Sequence, residues 1–109
     1  MTRKDIRKLD KEFSLYIRSR GACEHCGSKN FLQTSHIYSR RYLSIRWHPL
    51  NAFCFCAKSH LWWHHRPADG VEWAKAKLGD AKWTILKRLS LEIGVTKKLS
   101  PSEVRKWWS

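Results

Sequence analysis

The feature that most limits what this chain can become is its set of four cysteines, arranged C-x-x-C at Cys23 and Cys26 and C-x-C at Cys54 and Cys56. Two thiolates separated by two residues on a tight turn can face one ion, and zinc in a structural site takes four tetrahedral ligands. The first pair sits on "CEHCGSKN", where Gly27, Ser28 and Asn30 are turn formers. The four cysteines therefore read as a structural Zn²⁺ site: Cys23, Cys26, Cys56 and, as fourth ligand, Cys54. The alternative makes Cys54 a buried thiol of a strand and takes His25 or His60 as the fourth ligand. A metal staple is physically useful here, because short strands in a small domain bury little apolar surface.

Charge limits the partner. In 109 residues, 22 Lys and Arg stand against 9 Asp and Glu, a formal net charge of +13. A compact fold with that excess repels itself unless a polyanion offsets it, so nucleic acid is the first candidate partner. A membrane is not expected: no run of about 18 apolar residues exists. The start, "MTRKDIRKLDKEF", has no apolar segment of the kind that marks a secretory signal. The expected compartment is the cytoplasm, where cysteines serve as metal ligands more readily than as disulfides.

The pattern along the chain predicts a single α+β domain over 1–109, without repeat or linker. Ile6, Leu9, Phe13, Tyr16 and Ile17 recur at helical spacing over Asp5–Arg18, and Gly21 closes that helix. Phe31–Ile37 and Tyr42–Trp47, short and rich in β-branched or aromatic residues, are the expected strands, with "HPLN" leading from the second to "AFCFC". A helix is expected over about Ala57–His65, stopped by Pro67. Two more are expected, over Asp69–Leu78 and from a capping Asp80 past Trp83, Ile85, Leu86, Leu89 and Ile93 to Gly94. Ser100, Pro101 and Glu103 form a capping box for a last short helix.

The stretch "SHIYSRRYLSIRWHPLNAFCFCAKSHLWWHHRP", Ser35 to Pro67, holds five of the six histidines. His60 and His64 are spaced i, i+4, so on a helix they lie on one face about 6 Å apart along the axis and can chelate one divalent ion. His65 is turned away from that face, and His48 reads as a loop residue. His36 falls in the first expected strand, and Asn51 precedes the second cysteine pair.

Taken in order, "CEHC…SHI…N…C…SH…H" resembles the HNH, or His-metal finger, nuclease family in its zinc-bearing, phage-type branch. The resemblance covers Cys23 to about Pro67 and extends loosely through "WWHHRPADGVEWAKAKLG". The intervals from His36 to Asn51, His60 and His64 are similar to those of colicin-type nucleases. What the resemblance implies is a ββα-metal core over about 21–67, with a helical extension over about 68–109 and a helix in front. It implies that His36 is the general base and that Asn51 holds the hairpin loop and orients His36. It implies that His60 and His64 ligate a catalytic divalent metal (Mg²⁺, Mn²⁺, Ni²⁺ or Zn²⁺), separate from the structural zinc. The activity implied is hydrolysis of DNA phosphodiesters, with low sequence specificity, in a host cell's cytoplasm if the chain is phage-encoded.

Two positions depart from that family. Ser35 stands where an acidic or imidazole metal ligand is common, and Ser59 stands where the zinc-bearing branch has its last cysteine, which is why Cys54 is taken as the replacement. A zinc-stabilised DNA-binding module without catalysis is the alternative from another class. A structure-specific junction or flap nuclease, which a homodimer would suit, shares the core. Arg40 and Arg41 follow the base-bearing strand and are expected on flanking phosphates. Arg46, alternating with apolar neighbours, is expected to point outward. Trp62, Trp63, Trp73 and Trp83 are expected in the core.

Overall fold

The first helix starts on a reciprocal cap: the Asp5 N–H donates to Thr2 Oγ1 at 3.1 Å and the Thr2 N–H donates to the Asp5 carboxylate at 2.9 Å. From there α1 runs over Arg3–Arg18 and buries Leu9, Phe13 and Ile17 along one stripe, leaving Arg3, Lys4, Arg7, Lys8 and Lys11 in solvent. The computed structural model describes residues 1–94 and 99–108. Among these, five α-helices accompany one antiparallel pair of strands, an α+β arrangement. Strand β1 is Leu32–His36 and β2 is Ala52–Cys56, in a register that pairs Leu32 with Cys56 and His36 with Ala52. Helix α2, Ala57–His65, follows β2 without a loop, because Cys56 itself caps it. Then come α3 (Pro67–Leu78), α4 (Asp80–Ser90) and α5 (Pro101–Arg105).

The second strand is not Tyr42–Trp47 as expected. That segment is a run of local turns, with Tyr42, Ile45 and His48 N–H groups donating to carbonyls three residues back. Ile45 and Trp47 are buried as anchors of the loop rather than as strand residues. The real strand is "AFCFC", every residue of which is buried. Ala52 and Cys54 pack toward Leu9, Phe13, Ile17 and Trp47, while Phe53, Phe55 and Cys56 pack with Ala74 against Trp63 and Trp73. A strand covered on both faces loses the apolar–polar alternation that marks a half-exposed one.

Smaller differences concern helix ends. Pro67, not Asp69, opens α3, as suits a residue with no N–H to satisfy. Gly79, at φ 82°, occupies the cap of α4, so Asp80 is the first helical residue and not the cap. That helix ends at Ser90 and a 3₁₀ turn carries the chain to Gly94; the side chain of Ile93 lies outside the described residues. At α5, Ser100 accepts the Glu103 N–H at 3.3 Å, but its hydroxyl rather than its N–H meets the Glu103 carboxylate. Of the tryptophans expected inside, Trp63, Trp73 and Trp83 pack in the second core, whereas Trp62 stacks on His25. Gly70 lets α3 cross α2 closely: a Cβ there would stand 2.8 Å from Trp63 Cε3. No described helix is long and apolar enough to cross a membrane.

Candidate functional site

The end of β1, the second half of α1 and the inner face of α2 enclose a cleft of about 570 Å³, lined in part by Asp10, His36, Arg40, His60 and His64. His36 is the last residue of β1, with its ring 5.7 Å from that of Phe13. Its Nε2 lies 2.9 Å from the Arg46 carbonyl oxygen, which can only accept, so Nε2 carries the proton and Nδ1 carries the lone pair. Burial pushes the His36 pKa down from the ordinary 6.5, the Arg46 carbonyl opposes this, and nearby Arg40 adds to it. The ring is therefore neutral at pH 7, the form able to take a proton.

Asn51 is fully buried and uses its whole side-chain amide on the loop between the strands. Its Nδ2 donates to the carbonyls of Tyr38 (3.0 Å) and Ile45 (3.1 Å), and its Oδ1 accepts the Tyr38 N–H (2.8 Å). The expectation that Asn51 orients His36 through its amide needs correction: the ring is held by the Arg46 carbonyl, and Asn51 shapes the loop that presents that carbonyl. Asn51→Ala leaves the N–H and carbonyl of Tyr38 without their protein partners, while the Ile45 carbonyl keeps the His48 N–H, so stability should fall by about 2 kcal/mol, at about 1 kcal/mol for each group orphaned. Urea unfolding checks this; a loss below about 1 kcal/mol would mean that water replaces the amide.

On α2, His60 and His64 turn their Nε2 atoms toward each other, 3.1 Å apart. The other nitrogen of His60, Nδ1, is hydrogen-bonded to Ser35 Oγ. Ser35 is buried (1% exposed) in β1, beside His36, and so fixes which nitrogen of His60 faces the cleft. Burial first, and then His64, push the His60 pKa below 6.5, favouring the neutral ring that can ligate a metal.

Asp10, which the sequence reading did not single out, organises the cleft wall. Its carboxylate accepts from Arg46 Nε (2.9 Å) and Nη2 (2.6 Å) and from Trp47 Nε1 (2.9 Å). Burial opposes its charge, but these hydrogen bonds and the Arg46 and Arg40 cations outweigh it and hold the carboxyl below its usual 3.8. Arg46 does not point outward as expected: it is largely buried in that pair, which fixes the carbonyl facing His36. Arg40 lines the cleft with its guanidinium mostly exposed, 3.8 Å from Asp10, whereas Arg41 is exposed outside the lining. The only sequence signal for Asp10 was one acid beside buried Leu9 on a basic helix, and its partners lie about 36 residues away.

The second constellation lies at the other end of the hairpin. The sulfurs of Cys23, Cys26 and Cys56 lie within 4.8 Å of one another, a cluster that can hold a metal ion. The Cys26 and Cys56 sulfurs are 3.5 Å apart. Burial pushes the Cys23 thiol up, but its hydrogen bond with Ser59 and the N–H groups of Cys26, Cys56 and His25 outweigh it and bring its pKa to about 6. Ser59 likewise lowers that of Cys56. Such thiols are poised as the thiolates that metals need.

Cys54 lies outside this group, so its expected role as fourth ligand is corrected. Its side chain is fully buried on the α1 face of β2, and burial raises its pKa, as befits an inert thiol. Its backbone, however, anchors the C-x-x-C turn: Glu24 N–H donates to the Cys54 carbonyl (2.8 Å), and Cys54 N–H donates to the Glu24 carboxylate (2.7 Å).

No protein-family model, curated protein or solved structure matches this chain.

Proposed function

We propose that this protein is a divalent-metal-dependent DNA endonuclease of the HNH, or ββα-metal, type, pinned by a structural Zn²⁺ at the cysteine cluster. One observation carries the reading: His60 and His64 converge at 3.1 Å on the cleft that also holds neutral His36 with its Nδ1 lone pair free. The donor set fits a metal. Two nitrogens each about 2.1 Å from one ion and at right angles stand about 3.0 Å apart.

A divalent ion bound there would supply positive charge to polarise the scissile phosphate and stabilise the leaving oxygen. The chain's own residues do the rest. His36 Nδ1 accepts a proton from the attacking water, in the neutral state that burial favours. Arg40 offers a mostly exposed guanidinium, only loosely paired with Asp10, to a flanking phosphate, and Arg41 extends the basic rim. The Asp10–Arg46 pair and Asn51 hold the loop rigid, so the base does not drift. A charge of +13 supports binding to the DNA backbone without base readout, hence the low sequence specificity proposed.

Supercoiled plasmid incubated with Mg²⁺, Mn²⁺ or Ni²⁺ in separate tubes, beside EDTA, tests the reading. Nicked or linear product that depends on metal is the expected result. Intact plasmid in every tube, with a gel shift showing binding, would leave a zinc-stapled DNA-binding module in its place.

The role of Ser35 is testable apart from turnover. Ser35→Ala removes the hydrogen bond that keeps His60 Nε2 facing the cleft, and should weaken Mn²⁺ binding there by about 10- to 100-fold, the scale of outer-shell contacts. Isothermal titration calorimetry reads this directly. Unchanged affinity would show that the hydroxyl does not orient the ring.

A further inference from the structure

The three cysteines leave one corner of a tetrahedral zinc site to be filled. The structure assigns that corner to Ser59: we infer that its Oγ is the fourth ligand, giving a Cys₃Ser site in which His25 receives the hydrogen bond of the serine hydroxyl. The inference rests on the zinc reading above and adds the ligand that it lacks.

Ser59 lies in the first turn of α2, three residues after Cys56, and is buried together with Cys23 and Cys56. Its Oγ stands 3.3 Å from Cys23 Sγ and 3.5 Å from Cys56 Sγ. Sulfur about 2.3 Å and oxygen about 2.0 Å from a tetrahedral ion are separated by about 3.5 Å, so the hydroxyl occupies a ligand's place. It also stands 3.0 Å from His25 Nδ1. One hydroxyl proton can serve only one of these three neighbours. Donated to His25, it leaves the oxygen lone pairs facing the space between the sulfurs, which a cation would fill.

The other candidates are used elsewhere. His25 has no ring nitrogen within the mutual 4.8 Å of the cysteine group, and its ring lies flat on Trp62 at 4.0 Å and edge-on to Trp73. His60 spends Nδ1 on Ser35 and Nε2 on the cleft. Cys54 faces the α1 core. An oxygen ligand also makes the site less anionic than four thiolates would, with one negative charge in place of two. Zinc should therefore be held less tightly than in a four-cysteine site.

The test is zinc K-edge X-ray absorption on the full chain loaded with one equivalent of Zn²⁺, in a His64→Ala background so that the cleft does not compete. Three sulfurs at about 2.3 Å and one oxygen at about 2.0 Å, without imidazole scattering, is the expected shell. Ser59→Cys should convert it to four sulfurs and slow zinc transfer to a competing chelator at least about 10-fold. Ser59→Ala should lose the oxygen and release zinc faster, whereas His25→Phe, which keeps the stack on Trp62, should retain it. If Ser59→Ala does not fold, Ser59→Cys still decides: a shell that stays at three sulfurs overturns the inference. Imidazole scattering that vanishes in His25→Phe overturns it in favour of His25. An unchanged oxygen in Ser59→Ala overturns it in favour of water. A chain that retains no zinc overturns the zinc reading itself, and this inference with it.

Discussion

His36→Ala is expected to lower metal-dependent plasmid cleavage by about 10²- to 10⁴-fold, the usual contribution of a positioned general base, while a gel shift remains. The substitution removes the only neutral ring in the cleft whose free nitrogen is set by a carbonyl on its other side. It touches neither the His60–His64 pair nor the cationic surface, so metal and DNA binding should persist. The wild-type pH profile should agree with this assignment, with His60 at the metal losing its ligand form on the same acidic side. A base works unprotonated, and burial lowers the His36 pKa from 6.5, so activity should be flat near neutrality and fall on acidification with a midpoint below 6.5. Rates at saturating metal between about pH 4.5 and 8 check this. A midpoint above 6.5, or a variant as active as the wild type, would remove His36 from the mechanism.

With the structural zinc proposed for the cysteine cluster, stripping the metal is expected to unfold the chain. Structural zinc contributes about 10–16 kcal/mol in small zinc domains, against a net stability of about 5–15 kcal/mol for a typical fold. The cluster ties the C-x-x-C turn to the junction of β2 and α2, so its loss frees the end of the hairpin and the start of the helix together. Cys26→Ala should therefore abolish zinc retention and most helical circular dichroism. Cys54→Ala should retain zinc and cost only about 1–2 kcal/mol, the scale of a small cavity in a packed core. Metal content and thermal melts on both variants separate the two cysteines. Zinc lost from Cys54→Ala would break the three-cysteine assignment, and a fully helical Cys26→Ala would show that the two cores suffice without the staple.

Some of this architecture is legible in local pattern because its cause is local. The stripe from Ile6 to Ile17 defines α1, since helical periodicity is set by the residues themselves. Pro67 bounds α2, and the i, i+4 spacing brings His60 and His64 to one face whatever surrounds them. The C-x-x-C turn brings Cys23 and Cys26 together for the same reason. The second strand is not legible in the sequence, because "AFCFC" carries no alternation: helices lie on both its sides, and nothing within five residues reveals that. Tyr42–Trp47 has strand-like composition, but Asn51, a few residues beyond it, and Asp10, far away in sequence, hold it as a loop.

The hydroxyls show the boundary most clearly. As letters in a sequence, Ser35 and Ser59 are substitutions that weaken a metal motif. In three dimensions one locks His60 from a neighbouring strand and the other reaches into the cysteine cluster. A hydroxyl donates or accepts according to its neighbours, so its role cannot be read without them. By itself the sequence determined the helices, the charge, the C-x-x-C turn and the histidine pair, all consequences of spacing and residue type. The tertiary structure alone decided which strand pairs with which, which cysteine is inert, how Asp10 and Arg46 hold the loop, and what the two serines contact. These depend on packing between segments about 25–45 residues apart, where contact is set by the whole fold and not by local propensity.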